Sequence, residues 1–180
     1  SAYFHTSSVK DSKVWKEGML IMQNAYGNET YMDVETRQPI TDQWFNECFS
    51  FENGVGKVLN NRQEENLIKR DGTLVCDNWF YKIEKLTNHN YVRGETYDEG
   101  DILLDMNGIP VIDKYWERIF DFNGKYGAAK KRGKIVFFDN KGNELFSVDG
   151  WVALVLDNMF LVLTPSTLIY DNTGKMSNSS

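Results

Sequence analysis

The stretch from residue 126 to residue 151, YGAAKKRGKIVFFDNKGNELFSVDGW, decides the fold class. Short β-prone runs alternate in it with two turn signals, KRG at 131–133 and DNKG at 139–142. This order is typical of a β-meander, in which antiparallel strands follow one another through tight turns. The second turn closes on Gly142, a residue type that adopts the left-handed conformation without a steric penalty. The stretch therefore predicts strands, not helices.

The same phrase recurs along the chain at an interval of about 34 residues, within the range that marks repeat architectures. The turn glycines are Gly72, Gly108, Gly142 and Gly174, and Gln38 occupies this place in a diverged first copy. A tryptophan keeps the same spacing, at Trp44, Trp79, Trp116 and Trp151, with Trp15 as a possible fifth member of this Trp column. The repetition indicates one supersecondary unit used several times.

An isolated meander of three or four strands cannot bury both of its faces, so neighbouring units must stack. The predicted units cover residues 18–54, 55–88, 89–125, 126–157 and 158–176, with residues 1–17 completing the last one. We therefore predict a single all-β repeat domain over residues 1–180, closed into a propeller-like ring of about five antiparallel units. An open β-repeat array is the alternative. Closure predicts that the strand around Val14 and Trp15 pairs with the strand around residues 168–171.

Two aromatic segments, WFYKIEKL at 79–86 and YWERIFDF at 115–122, allow two interpretations. Their aromatic and β-branched residues favour strands. One or two turns of helix are the alternative.

Composition limits the classes of function. The chain has 180 residues, 41% of them hydrophobic and 14% aromatic, as in globular proteins. A net charge of -6 argues against binding to a phosphate backbone, which requires a positive surface. No run approaches the ~18 apolar residues of a membrane helix. The first residues, SAYFHTSSVKDSK, lack the pattern of a signal peptide, and the sequence predicts no compartment.

The segments KYWERIFDFNGKYGAAKKRGK (114–134) and KRGKIVFFDNKGNELF (131–146) resemble bacterial WG-containing repeats. Units of that family are of similar length and contain a phrase close to G-K-W-G-x-I-D-x-x-G-K. The resemblance covers most of residues 18–176 and is clearest over 101–145. The Trp-Gly dipeptide itself is absent. The resemblance implies a β-rich repeat array that serves mainly in binding, and it implies no catalytic residue.

Repeated polar and aromatic residues have structural interpretations. Asp105, Asp139 and Asp171 stand three residues before a turn glycine, where a carboxylate accepts hydrogen bonds from backbone N–H groups. The Trp column is expected to pack between successive sheets, because each indole removes a large apolar area from water. The alternative for the Trp column is a set of exposed aromatic rings that stack on sugars or bind a protein partner.

Acidic residues offer two weak candidates for chemistry. The segment with Glu95, Asp98, Glu99 and Asp101 carries enough oxygen ligands for calcium but lacks the order of an EF-hand loop, so a solvated loop is expected. The adjacent carboxylates at 64–65 are expected at a hairpin tip. Glycoside hydrolysis needs two carboxylates facing one cleft, which a sequence does not show.

Histidine and cysteine give no metal pattern. His5 and His89 are too few and too distant for a metal centre. Cys48 and Cys76 fall at different places in their repeats, so two reduced thiols are expected, with a disulfide as the alternative.

A basic hairpin tip is formed by Lys130, Lys131, Arg132 and Lys134. We interpret it as a solubilising turn, with anion binding as the alternative. The sequence contains no P-loop, G-x-G-x-x-G, G-x-S-x-G, H-E-x-x-H or C-x-x-C motif.

The sequence therefore predicts no catalytic, cofactor-binding or metal-ligating residue. Regular framework residues combined with irregular loops are typical of repeat proteins that separate stability from recognition. We predict a non-enzymatic binding or assembly module that holds a protein partner within a larger complex, without nucleic acid and without a membrane span. The alternative is a carbohydrate-binding or carbohydrate-processing β-propeller.

Overall fold

The computed structural model describes residues 16–86 and 90–177, together with the backbone of Ser8 and Val9. Regular structure in these residues is β throughout, with no α-helix among them, and the strands form five antiparallel sheets of three or four strands. Each sheet is a meander whose strands follow chain order. The predicted all-β class and its division into about five antiparallel units are confirmed.

The chain divides into two compact units. Unit 1 comprises Ser1–Lys82 and Met106–Ile109, and unit 2 comprises Ile83–Asp105 and Pro110–Ser180. The first two sheets belong to unit 1 and the last three to unit 2. Closure into a propeller-like ring stays a prediction, as does the open array.

Unit 1 is built around one core between its two sheets. The first sheet contains β1 (Ser8–Val9), β2 (Met19–Gln23), β3 (Glu29–Asp33) and β4 (Gln38–Pro39), and the second contains β5 (Glu47–Cys48), β6 (Val55–Leu59) and β7 (Glu65–Lys69). Tyr31 lies at the centre of this core, edge-on to Phe51 with ring centroids 4.9 Å apart. Its hydroxyl donates a hydrogen bond to the carbonyl of Phe49 (2.6 Å), and burial raises the pKa of this phenol.

Unit 2 contains three sheets. The third sheet has β8 (Lys82–Lys85), β9 (Tyr91–Glu95), β10 (Asp101–Asp105) and β11 (Pro110–Trp116). The fourth has β12 (Arg118–Phe122), β13 (Tyr126–Lys131), β14 (Lys134–Asp139) and β15 (Glu144–Val148). The fifth has β16 (Val152–Leu156), β17 (Met159–Leu163), β18 (Thr167–Asp171) and β19 (Met176–Ser177). The strand interpretation of residues 79–86 and 115–122 is confirmed, because β8, β11 and β12 occupy these segments without a helical turn.

The fourth sheet is buried on both faces. In β14, Val136 and Phe138 enter the core shared with the third sheet, whereas Ile135 and Phe137 enter the core shared with the fifth. Stacked rings join the sheets on both sides, Trp116 on Phe138 at 4.4 Å and Phe137 on Phe160 at 4.6 Å. Burial on both faces explains why this strand is an unbroken apolar run instead of an alternating one.

The sheets are offset from the predicted units. The predicted boundary at residues 125 and 126 falls between β12 and β13, inside the fourth sheet. The offset is visible at the Trp column. Its described members were predicted inside the units, but they lie where the chain passes from one sheet to the next. The repeat period gives the length of a unit but not the point at which a new sheet begins.

The last sheet is completed by the C-terminal strand. Here β18 pairs with β17 on one side and with β19 on the other, and the N-terminal strand β1 pairs with β2. Val14 and Trp15, the predicted partners of β18, lie outside the described residues.

Candidate functional site

Buried carboxylates connect successive sheets in both units. Glu29 accepts a hydrogen bond from the backbone N–H of Cys48 at 2.8 Å. Asp101 accepts one from Ile119 and Asp121 accepts one from Val155, both at 2.9 Å. In each case the acceptor belongs to one sheet and the donor to the next along the chain, and all three carboxylates are less than 5% exposed. Their arrangement is structural.

Asp101 differs from an ordinary surface carboxylate. Burial raises the pKa of this side chain, while the hydrogen bond from Ile119 and the guanidinium of Arg118 at 3.8 Å act in the opposite direction. Arg118 also forms an ion pair with Glu95. Two of the four acids in the segment expected to be a solvated loop are thus engaged within the protein, and Asp98 and Glu99 are exposed.

The turn aspartates act as predicted at two positions. Oδ1 of Asp139 accepts hydrogen bonds from the N–H groups of Lys141 and Asn143, both at 2.9 Å. Oδ1 of Asp171 accepts them from Thr173 and Lys175 at 2.9 and 3.0 Å. Side-chain hydrogen bonds from Asn143 and Thr173 are the main reason why the pKa of each carboxyl is lowered. The interpretation as turn chemistry is confirmed there.

The other polar candidates are also engaged locally. Glu64 accepts a hydrogen bond from Asn60 within a hairpin turn. Lys131 pairs with Glu144 at 2.9 Å, which lowers the pKa of Glu144, and Lys134 lies 4.0 Å from Asp149. The basic hairpin is therefore partly neutralised.

Cys48 and Cys76 are free thiols, as predicted. His5 and His89 lie outside the described residues. Within residues 16–86 and 90–177, no three His, Cys, Asp or Glu side chains are grouped to hold a metal ion. The same ranges contain no helix with the length and apolarity that a membrane crossing requires.

The Trp column occupies one place in the repeat but different environments. Trp116 is 2% exposed and stacks on Phe138, as predicted for packing between sheets. Trp44 and Trp79 are half-buried. Trp15 lies outside the described residues.

Trp151 contradicts the prediction for the column, because it is 66% exposed. The ring from the end of the fourth sheet that packs against the fifth sheet is that of Phe146, from β15. Its ring lies 5.8 Å from both Phe160 and Tyr170.

A groove in unit 1 lies beside the two half-buried indoles. Its volume is about 270 Å³, and it is lined by Gln43, Trp44, Phe45, Asn46, Asn60, Asn61 and Trp79. The ring of Trp79 is tilted by 54° against that of Phe45 at 6.2 Å. None of the lining side chains carries a charge. Aromatic surface and carboxamides therefore meet in one small concavity.

The fifth sheet has an apolar outer face, on the side opposite its core with the fourth sheet. Alternation and register place seven aliphatic side chains on it: Val152, Leu154, Leu156, Met159, Leu161, Leu163 and Ile169. The polar Thr167 and Asp171, at the two ends of β18, and Ser177, on the edge strand β19, share this face. Met159 is 51% exposed and Leu163 is 42% exposed. The face is a contiguous aliphatic surface of the kind that marks interaction sites.

Comparison with known proteins finds solved structures that are similar to this chain. No family model matches the chain, and no curated protein matches it. BamB from Moraxella catarrhalis is similar over 89% of this chain and 57% of its own, with 10% identity and a TM-score of 0.45. The computationally designed Ika8 protein is similar over 89% of this chain and 55% of its own, with 13% identity and a TM-score of 0.41. The chain thus spans just over half the length of either. Neither likeness carries information about a ligand or a partner.

Two features of these surfaces escaped the sequence interpretation. The apolar runs of β16 and β17, VALVL and MFLVL, resemble the two-sided run of β14, and this likeness was the available signal for the outer face. The groove had no signal, since Asn46 and Asn61 occur in no motif, and Asn61 and Trp79 approach Trp44 only through the fold.

Proposed function

We propose that this chain is a non-enzymatic binding and assembly module that holds a protein partner on the outer face of its fifth sheet. A single comparison carries the proposal. In the fourth sheet, the row formed by Ala128, Phe137 and Phe146 is packed against the fifth sheet. In the fifth sheet, the corresponding row on β17, β18 and β19 is formed by Leu161, Ile169 and Ser177, and Leu154 on β16 extends it. The same kind of surface that receives a sheet inside unit 2 is presented outward at its end.

The aliphatic side chains of this row are half-buried, and those of the rows on either side of it are exposed. Val152 pairs with Leu163 and Leu156 pairs with Met159 in the register, and the four side chains are 40 to 51% exposed. Exposed aliphatic side chains gain roughly 25 cal/mol for each Å² of apolar area that a partner removes from water. A charged or polar ligand would gain nothing from such a surface.

The expected occupant is the apolar face of a β-sheet in a different protein. Such an occupant continues the stacking already present between the third, fourth and fifth sheets. Four strands of this length offer an area on the order of 300 Å². A stable interface needs about 800 Å² on each partner, so the partner is expected to contact surface beside this face as well.

The engagement of the candidate carboxylates supports binding as the function, in place of catalysis. Asp101 and Asp121 hold adjacent sheets, and Glu95 is paired with Arg118. The proposal extends to membership of the bacterial WG-containing repeats, as a diverged case. The period of the turn glycines supports this membership.

Photo-crosslinking followed by reconstitution tests the proposal. A crosslinking amino acid in place of Met159 identifies the partner by mass spectrometry, and the purified partner is then titrated against the Met159→Lys/Leu163→Lys variant. We expect an affinity loss of about tenfold or more, because two ammonium groups would have to be desolvated against an apolar sheet.

A matched control is the Tyr97→Lys/Leu145→Lys variant, which adds the same charge at exposed positions of unit 2 outside the outer face. It should bind the partner with affinity close to that of the wild type. Equal affinity for both variants would overturn the proposal. A native mass spectrum that shows a dimer of this chain, lost in Met159→Lys/Leu163→Lys, would replace the foreign partner by a second copy. Free monomer alone, together with turnover of a small substrate, would also contradict it.

Binding of carbohydrate is the second candidate function. It is favoured by the groove with Trp44 and Trp79, which among the described members of the Trp column are neither buried nor fully exposed.

A further inference from the structure

We propose that the groove beside Trp44 and Trp79 is a binding site for a neutral saccharide. The groove combines the two surfaces that a sugar ring requires, a flat aromatic surface for its C–H face and planar polar groups for its hydroxyls. It lies wholly within unit 1, so this inference does not depend on the protein-binding face of unit 2.

The aromatic part of the groove comes from equivalent places in two successive repeats. Trp44 precedes Phe45, which bridges to Glu29 at the start of β3, and Trp79 precedes Phe80, which bridges to Glu65 at the start of β7. These backbone bridges hold the peptide on either side of the groove. An indole has an electron-rich face that attracts polarised C–H groups, and a half-buried indole keeps that face fixed.

The polar part of the groove comes from carboxamides. Asn60 is oriented by its own turn, since its Oδ1 accepts hydrogen bonds from the N–H groups of Arg62 and Glu64, both at 2.9 Å. The side chains of Asn46 and Asn61 have no hydrogen-bond partner among the described residues. The carboxamides of Asn46 and Asn61 each offer two donors and one acceptor oxygen in one plane, which matches a pair of adjacent hydroxyls that donate and accept.

Charge and hydrogen-bond capacity favour a neutral sugar over other ligands. No cation lines the groove, and the net charge of -6 repels phosphates and acidic sugars. A proline-rich peptide packs against aromatic grooves, but its proline nitrogens carry no hydrogen to donate. Such a ligand would leave the carboxamide oxygens of Asn46 and Asn61 unpaired at the interface.

The size of the groove sets the size of the ligand. Its volume of about 270 Å³ lies near the lower end of the range for small-molecule sites, which is roughly 300–1,000 Å³. A single pyranose ring is therefore expected inside the groove, with any further ring of an oligosaccharide outside it.

Nuclear magnetic resonance of the indole N–H groups in the full chain tests the site. The five tryptophans give five signals, assigned by Trp→Phe variants at each position. The probes are glucose, galactose, mannose, N-acetylglucosamine, maltose and cellobiose, each raised to about 50 mM so that a Kd near 1 mM is saturated. We expect at least one sugar to shift the signals of Trp44 and Trp79 while that of the exposed Trp151 stays in place.

The Asn46→Ala variant should weaken binding of that sugar about tenfold, and the exposed-turn variant Asn61→Ala covers the case in which Asn46→Ala does not fold. Trp151→Ala is the matched control, and it should bind like the wild type. The proposal is overturned if no sugar shifts either signal, or if the folded asparagine variants bind as well as the wild type. Shifts caused by a proline-rich peptide, with every sugar silent, would assign the groove to a peptide instead.

Discussion

At the scale of single residues, the buried carboxylates of Glu29, Asp101 and Asp121 have one role in three places. Each one replaces water as the acceptor for a backbone N–H of the next sheet, so that the donor is satisfied inside the protein. A carboxylate in such a place stabilises the contact between sheets but has to lose hydration itself. The balance between these two effects is open to measurement at Asp101.

Substitution of Asp101 separates its hydrogen bond from its charge. Asp101→Ala leaves the N–H of Ile119 without an acceptor, and a loss of about 1–3 kcal/mol in the free energy of unfolding is expected. Asp101→Asn keeps an acceptor oxygen and removes the buried charge. The raised pKa means that the folded state is more stable with the Asp101 carboxyl protonated than with it ionised. Its stabilising effect is fully present below the unfolded-state pKa, near 3.9, and is lost as the pH rises through the folded-state pKa.

The stability of Asp101→Asn relative to the wild type should therefore increase from pH 4 to pH 7.5. Urea unfolding of the wild type and both variants at these two pH values measures this trend. A loss in Asp101→Asn at pH 7.5 as large as that in Asp101→Ala would show that the ion pair with Arg118 outweighs the cost of burial.

Trp116 and Trp151 show that a repeated position does not determine burial. The repeat placed Trp116 and Trp151 at equivalent points of the chain, but one is buried and the other exposed. The ring packed against the fifth sheet is that of Phe146, which comes from a strand and not from the repeated position. A period in the sequence fixes the location of a residue along the chain, whereas burial depends on what else reaches the same volume.

At the scale of elements, the meander was predictable because its turns have local causes. The aspartates of the turns before Gly142 and Gly174 satisfy the backbone within four residues, and no distant partner is required. The residue at which each sheet begins was not predictable in this way. The start of a sheet is determined by pairing with strands farther along the chain, and a local turn carries no record of that pairing.

Two turn glycines in unit 1 allow the cost of the backbone conformation to be separated from the cost of a steric clash. Both have positive φ, +85° at Gly72 and +84° at Gly27. A Cβ at Gly27 would meet nothing within 4 Å, whereas a Cβ at Gly72 would overlap the carbonyl oxygen of Ile40. Gly27→Ala should lose about 1–2 kcal/mol of unfolding free energy from the backbone conformation alone.

Gly72→Ala should lose clearly more than Gly27→Ala, because the segment around Ile40 has to move in addition. Urea denaturation of the two variants under identical conditions gives the difference. Equal losses would mean that this segment yields freely and that the contact with Ile40 contributes no strain.

At the scale of the whole molecule, a net charge of -6 and an exposed aliphatic face act against each other. Charge repulsion keeps copies apart near pH 7, but it disappears as the pH approaches the isoelectric point near 5.0. We expect light scattering of the wild type to rise between pH 7.5 and pH 5, because the outer face then associates without electrostatic opposition.

The Met159→Lys/Leu163→Lys variant should scatter less at its own isoelectric point than the equally charged Tyr97→Lys/Leu145→Lys variant does. If the two variants associate equally, the outer face is not the source of association. The sequence did contain the apolar runs of this face. It could not show that the side chains of this face are exposed, because exposure depends on what packs against a sheet and not on any one strand.

Because both faces of β14 are buried, this strand links the two cores of unit 2. Adjacent residues on it point into different cores, so a backbone adjustment that heals a cavity around Phe137 displaces Val136 within the other core. Phe137→Leu and Val136→Ala should therefore be non-additive, and a double-mutant cycle should give an interaction energy of about 0.5–3 kcal/mol although the two side chains never share a core. Evolutionary change on one side of the fourth sheet would then constrain the changes that the other side can accept.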